Sequence, residues 1–250
     1  MAESWELITG DDRQEDQLPT YIIYCEDQNH EPAYFNSFGR QGVLKINTIP
    51  NQKQGKLNLN NTIAGGLADG LIVFTAGAYR VNPGIDQKLW CVYDRDLEND
   101  DPAQLRPADH IDFDTAIQVA QDAGLSVAWS NDAFELWILL HFEMVPFHVP
   151  FHRDIIYERL TAVFIGLPDK SAGLTALVAH QQFTYRYSLK KKLPFVLHVL
   201  PLLPQRQAIA IQRAKELVNN FGHHVAYHLR NPCTMAYSLV EELQAIIDLA

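Results

Sequence analysis

Cysteine is scarce in this chain: Cys25, Cys91 and Cys233 are the only three among 250 residues, and no two share a CxxC spacing. That excludes a disulfide framework, leaves structural zinc without support and makes a reducing cytoplasm the default compartment. Long apolar runs are missing as well. The longest stretches, such as Leu193–Leu203, are too short or too interrupted to span a bilayer, and the acidic, polar Met1–Thr20 is the opposite of a signal peptide. Positive charge is in deficit, with 20 Lys and Arg against 30 Asp and Glu, which argues against loose, sequence-blind binding of nucleic acid. What is present is globular: 47% apolar and 20% charged residues are not the proportions of a disordered chain, and the length allows one large domain or two small ones.

The charge deficit is unevenly placed. Residues 1–150 hold 9 Lys and Arg against 23 Asp and Glu, whereas residues 151–250 hold 11 against 7. An acidic half beside a mildly basic half suits a metal site next to an anion-binding surface, and it equally suits two ordinary solvated faces.

Residues 1–19 read as an acidic leader. Tyr21–Cys25 and Leu89–Tyr93 are short β-rich apolar runs and read as buried strands, as does Leu125–Trp129, while Val43–Ile49 alternates like a strand. Between them, Ala33–Phe38 following Pro32, Thr62–Tyr79, and Asp112–Ala123 stopped by Gly124 have helical spacing, and Phe134–Phe142 follows a cap at Asn131 or Asp132. Asn51–Asn61 and Asn99–Pro107 read as polar and acidic loops. Strands alternating with helices predict an α/β fold, a mainly parallel sheet with helices on both faces, over residues 20–148. Residues 149–250 are predicted to be a helical extension packed on it, with helices at Asp154–Ile165, Ala172–Phe183, Gln205–Asn220 and Thr234–Leu249.

In open parallel sheets ligands bind at the carboxyl ends of the strands. Two predicted strands end there in acids: Glu26 and Asp27 after Tyr21–Cys25, and Asp94-Arg95-Asp96 after Leu89–Tyr93. Carboxylates on adjacent strand tips repel unless a cation joins them, and hard oxygen donors suit Mg²⁺ or Mn²⁺. A D-x-D after a strand also occurs in dehalogenase-type phosphatases and sugar-nucleotide transferases, so spacing alone leaves the chemistry open. Lys190, Lys191 and Lys192, with Arg186 and Tyr185/Tyr187, form a basic–aromatic cluster of the kind that contacts phosphate and stacks bases, and a solvated turn fits it as well.

Three further patterns stand in order along the chain. They are C-E-x(4)-E-P-x-Y-F at Cys25–Phe35, W-C-V-Y-D-R-D at Trp90–Asp96, and S-N-x-x-F-E-x-W-x-L-L-H-F at Ser130–Phe142; an N-P-x-T follows at Asn231–Thr234. Together they resemble the RloB family of bacterial anti-phage and restriction-associated loci. The resemblance implies a Toprim-like (Rossmann-like) catalytic domain, the fold of topoisomerases, primases and OLD-type nucleases. It assigns the metal-binding glutamate to Glu26, the D-x-D to Asp94 and Asp96, an active-site role to Glu135, and a ligand or supporting role to Glu31. The chain departs from the family pattern at Asp27, where Gly is usual, at Asn29-His30, and at Asp132-Ala133, where Pro-Cys is usual.

The expectation is therefore a Mg²⁺- or Mn²⁺-dependent endonuclease acting on RNA, tRNA included, sooner than on duplex DNA, as a phage-defence effector. Glu26, Asp94 and Asp96 are expected to hold metal with Glu31, and Glu135 to complete the catalytic set. Arg186, Lys190, Lys191 and Lys192 are expected to bind substrate. A phosphatase or nucleotidyl transferase using the same acids, and a non-enzymatic partner of an ATPase, are the alternatives. An ATPase partner is implied by the resemblance, and homo-oligomerisation stays open.

Overall fold

A computed structural model describes residues 18–50, 59–95, 97, 107–222 and 224–250. Nearly all of the expected leader, most of the polar loop after Ile49, most of the acidic loop before Asp112, and Asp96 lie outside the described residues.

In chain order the strands are β1 (Thr20–Tyr24), β2 (Lys45–Ile49), β3 (Ile72–Thr75), β4 (Ala78–Val81), β5 (Lys88–Asp94), β6 (Ser126–Asn131) and β7 (Cys233–Thr234). Five of them form one sheet in the order β2-β1-β5-β6-β7, parallel except for β7, which runs antiparallel to β6. The expected α/β fold with a mainly parallel sheet is the fold the chain adopts. Alternate side chains of each strand point to opposite faces. On one face Tyr21, Ile23, Cys25, Trp90, Val92 and Ala128 pack with α1 (His30–Asn36), α4 (Glu135–Leu140), α5 (Arg153–Gly166), α8 (Gln207–Asn219) and α9 (Ala236–Asp248). On the other, Ile22, Tyr24, Leu89, Cys91, Tyr93, Val127 and Trp129 pack with α2 (Leu59–Ala68), β3 and α3 (Pro107–Asp122). Burial on both faces is why β1 and β5 read as unbroken apolar runs instead of alternating ones.

The C-terminal part does more than cover the sheet. It supplies β7 to the sheet edge, and its helices share one core with Tyr34, Phe35 and Trp137. Between α6 (Ala172–Val178) and α8 the chain runs through the wide turns Tyr185–Leu189 and Phe195–Val199, with the single turn α7 (Lys192–Pro194) between them. No described helix is long and apolar enough to cross a membrane.

Three element assignments need correction. The helix expected over Thr62–Tyr79 ends at Ala68, and the rest is the β3–β4 hairpin. Gly70 leaves the helix with φ 69°, and Ala76 and Gly77 turn the hairpin with φ 51° and 80°, a backbone that suits a two-residue hairpin turn. The helix expected to reach Phe183 stops at Val178. The last helix starts at Ala236, because Cys233 and Thr234 pair with Asn131 and Ser130 as β7.

Candidate active site

The chain leaves β1 toward β2 on one side and returns on the other side as β5, so the strand order reverses between the parallel neighbours β1 and β5. A parallel sheet is open to ligands at the carboxyl ends of such a strand pair. Glu26 follows β1 after Cys25, and Asp94 is the last residue of β5. Glu26 Oε2 accepts the Asp94 backbone N–H at 2.9 Å, so one carboxylate joins the two strand tips. Asp94 Oδ2 accepts the N–H of Phe134, just before α4, at 2.9 Å. Glu31, on α1, accepts the N–H groups of Glu26 and Asp27 on Oε2 at 2.8 and 3.2 Å, closing the turn from β1 into α1.

These acids hold negative charge in excess. Burial, then Glu26 and Glu135, push the Asp94 carboxyl well above the usual range; burial, then Asp27, Asp94 and Glu26, do the same to Glu31. Asp94 Oδ1 is buried with no hydrogen-bond partner among the described residues.

A second acidic group next to them is compensated. Glu135, fully buried at the first turn of α4, has Oε1 2.8 Å from Lys190 Nζ and 3.2 Å from His30 Nε2. His30 Nδ1 in turn pairs with Asp27 Oδ2, and Lys190 donates to the Tyr157 hydroxyl at 2.9 Å. Burial opposes the imidazolium of His30, but Asp27 and Glu135 outweigh it and raise its pKa to about 9. Burial likewise opposes the Glu135 carboxylate, and Lys190 and then His30 outweigh it, holding the group far below the usual range.

A scaffold of polar side chains fixes the loops around both groups. Asp132 binds the Arg153 guanidinium at 3.0 and 3.2 Å and accepts the Leu97 and Arg153 backbone N–H groups, so the chain after the D-x-D is tied to α5. Asn231 clasps the backbone of Phe151 through its N–H and C=O at 2.7 and 3.1 Å, and Thr234 Oγ1 meets Ser130 Oγ at 2.9 Å. The N-P-x-T segment therefore fastens the sheet edge instead of lining the site. Arg95 Nη1 points back to the His228 carbonyl at 2.8 Å, on this same scaffold.

Of the residues singled out in the sequence, Glu26, Glu31, Asp94, Glu135 and Lys190 come together, and Asp96 lies outside the described residues. Lys190 turns inward to Glu135, while Lys191 and Lys192 are exposed and Arg186 pairs at the surface with Asp154 at 3.3 Å. Roles for His30 and Tyr157 were not anticipated, and Asp27, read only as a strand-tip acid, proves to pair with His30. The Asp27-x-x-His30 spacing was visible, but the partner that gives it meaning, Glu135, is far away in the chain.

Among the described residues no three His, Cys, Asp or Glu side chains are grouped so as to hold a metal ion. Donor chemistry nevertheless suits a hard divalent cation: the oxygens are carboxylates, Asp94 faces Glu26 and Glu135, and Asp94 Oδ1 has no hydrogen-bond partner among the described residues.

Fold and site together define an α/β protein with an acidic site at the point where the strand order of a mainly parallel sheet reverses. The family model described as RloB-like protein matches residues 21–243, and the chain belongs to that family. Neither the curated proteins nor the solved structures compared with the chain include a match.

Proposed function

We propose that this chain is a Mg²⁺- or Mn²⁺-dependent phosphodiesterase that cleaves nucleic acid, RNA such as tRNA sooner than duplex DNA, as a cytoplasmic effector of phage defence. The observation that carries this reading is the buried Asp94 Oδ1, without a hydrogen-bond partner among the described residues, beside carboxylates whose mutual repulsion a cation would relieve. Family membership supports it, because the resemblance implies a Toprim-like catalytic domain. Glu26 and Asp94, with Asp96 and with Glu31 behind them, would hold the ion. Bound there, it supplies positive charge against a phosphoryl oxygen and lowers the pKa of a water. Glu135, kept ionised by Lys190 and His30 and with Oε2 unpartnered among the described residues, would accept a hydrogen bond from an attacking water and orient it.

Labelled tRNA, single-stranded RNA and DNA, incubated with Mg²⁺, Mn²⁺ or EDTA, test the reading. Wild type should cleave one of them only with metal, and Asp94→Ala should abolish cleavage. Equal cleavage by both proteins would remove Asp94 from the chemistry.

A second reading draws on a different feature. Glu26, Glu31 and Asp94 each already accept a backbone N–H. On that view they are loop clasps, and the protein is a regulated, non-enzymatic partner of an ATPase. A small phosphate ester included in the same assay also separates a phosphatase from a nuclease.

A further inference from the structure

We propose that the wide turn Tyr185–Leu189, with Tyr157 beneath it and Lys191 and Lys192 beyond it, is a stacking platform for single-stranded nucleic acid leading into the acidic site. The inference rests on the nucleic-acid reading above and specifies the form of substrate that enters.

The argument starts with the turn itself. It brings Arg186 and Lys190 over the same aromatic ring: the Arg186 guanidinium carbon and Lys190 Nζ each lie 5.3 Å from the Tyr157 ring centroid. Arg186 also lies 5.7 Å from the ring of Tyr187, which is 70% exposed. Side chains therefore run without a gap from solvent to the buried carboxylate, from Tyr187 through Arg186, Tyr157 and Lys190 to Glu135 at 2.8 Å. The outer end presents an open aromatic face and the inner end reaches the site. Asp154 partly neutralises Arg186, which leaves Lys191 and Lys192 as exposed cations with no ion pair among the described residues.

Charge and shape then select the occupant. In a chain of net charge −10, a polyanion is admitted only where cations face outward. An open tyrosine ring, with two exposed lysines four and five residues further along the chain, takes an unstacked base and its flanking phosphates. A duplex keeps its bases stacked inside and gains nothing from Tyr187.

The experiment measures anisotropy of short fluorescein-labelled RNA and DNA, single-stranded and duplex, across a salt series, in EDTA and in Ca²⁺. Tyr187→Ala should weaken single-strand binding about tenfold, the size expected for one lost base stack, and leave duplex binding unchanged. Tyr187→Phe, which keeps the ring, should bind like wild type. The Lys191→Ala/Lys192→Ala variant should flatten the single-strand salt slope by about 1.4, the release expected from two lost phosphate contacts. Tyr187 and both lysines are exposed, and matching thermal melts confirm that the variants fold. Wild-type affinity in Tyr187→Ala, or an equal loss for duplex, overturns the platform while leaving metal-dependent cleavage standing. Failure of wild type to bind any of the nucleic acids in either buffer overturns the platform and the nucleic-acid reading together.

Discussion

Two sets of buried carboxylates lie side by side at the carboxyl end of the sheet, and the chain treats them in opposite ways. Glu135 is fully buried yet meets an ammonium and an imidazole, and it stays ionised. Glu31 is as deeply buried and Asp94 is half-buried, but both face other carboxylates, and their pKa values rise. The cations that compensate Glu135 come from α1 and from the Tyr185–Leu189 turn, so the fold as a whole decides which acid is satisfied. The contrast separates two jobs. A compensated acid stays ionised and able to accept a hydrogen bond, whereas an uncompensated one is destabilising until something positive arrives, which is the usual signature of a site kept for function.

The comparison breaks most sharply at Lys190. Removing one partner of a buried ion pair costs about 3–5 kcal/mol, because the other charge is left uncompensated. Lys190 keeps 31% of its side-chain surface exposed, so Lys190→Met is expected at the lower end, about 3 kcal/mol. Denaturant unfolding measures it. Adding Glu135→Gln to that variant should restore part of the loss, since the uncompensated carboxylate is then gone. If the double variant is no more stable than the single one, Glu135 is not held by charge.

A pH series probes the same group through His30. Its pKa of about 9 in the folded chain lies above the ordinary 6.5, so the folded state binds the proton more tightly. The stabilisation is complete below pH 6.5 and is lost as pH rises through about 9. It amounts to about 3 kcal/mol at most. The deficit of His30→Gln relative to wild type, measured in EDTA, should be greatest near about pH 6 and shrink toward about pH 9.5. A deficit independent of pH would mean that His30 packs there as a neutral ring.

How much of this could be read from the chain alone depends on distance along it. Strand tips were legible, because five apolar residues followed by an acid say both where a strand lies and where it ends. Glu26 and Asp94 were found that way, and the parallel pairing of β1 with β5 places them as expected. The β3–β4 hairpin was not legible: its apolar residues fit a helical period, and only the glycines favoured a turn. Nor was β7, where two residues pair with β6 and carry no periodicity of their own. Lys190 shows the limit most plainly. Three successive lysines read as a phosphate-binding cluster or a solvated turn, and nothing local says that the first of them turns inward to Glu135. Pairing that crosses the fold leaves no trace in spacing.

The smallest effect sharpens the other side of the comparison. Asp94 binds its proton more tightly in the folded chain than in the unfolded one, so its contribution to stability falls as pH rises above the ordinary carboxylate range. Asparagine keeps an oxygen to accept the Phe134 N–H and removes the charge that Glu26 and Glu135 repel. In metal-free buffer at neutral pH, Asp94→Asn should therefore match wild type or exceed it by about 1 kcal/mol, against the ordinary direction of a substitution at a half-buried, hydrogen-bonded site. Mn²⁺ should reverse that order. It stabilises only the form that binds it, raising the melting temperature of wild type with concentration while leaving the variant unmoved. The pair of melts, with Mn²⁺ and with EDTA, reads both effects. Should Asp94→Asn prove several kcal/mol less stable without metal, the carboxylate is a structural clasp, and the contrast between the two acid groups collapses. If the two proteins gain equally from Mn²⁺, the ion binds elsewhere, and the strand tips lose their claim to it.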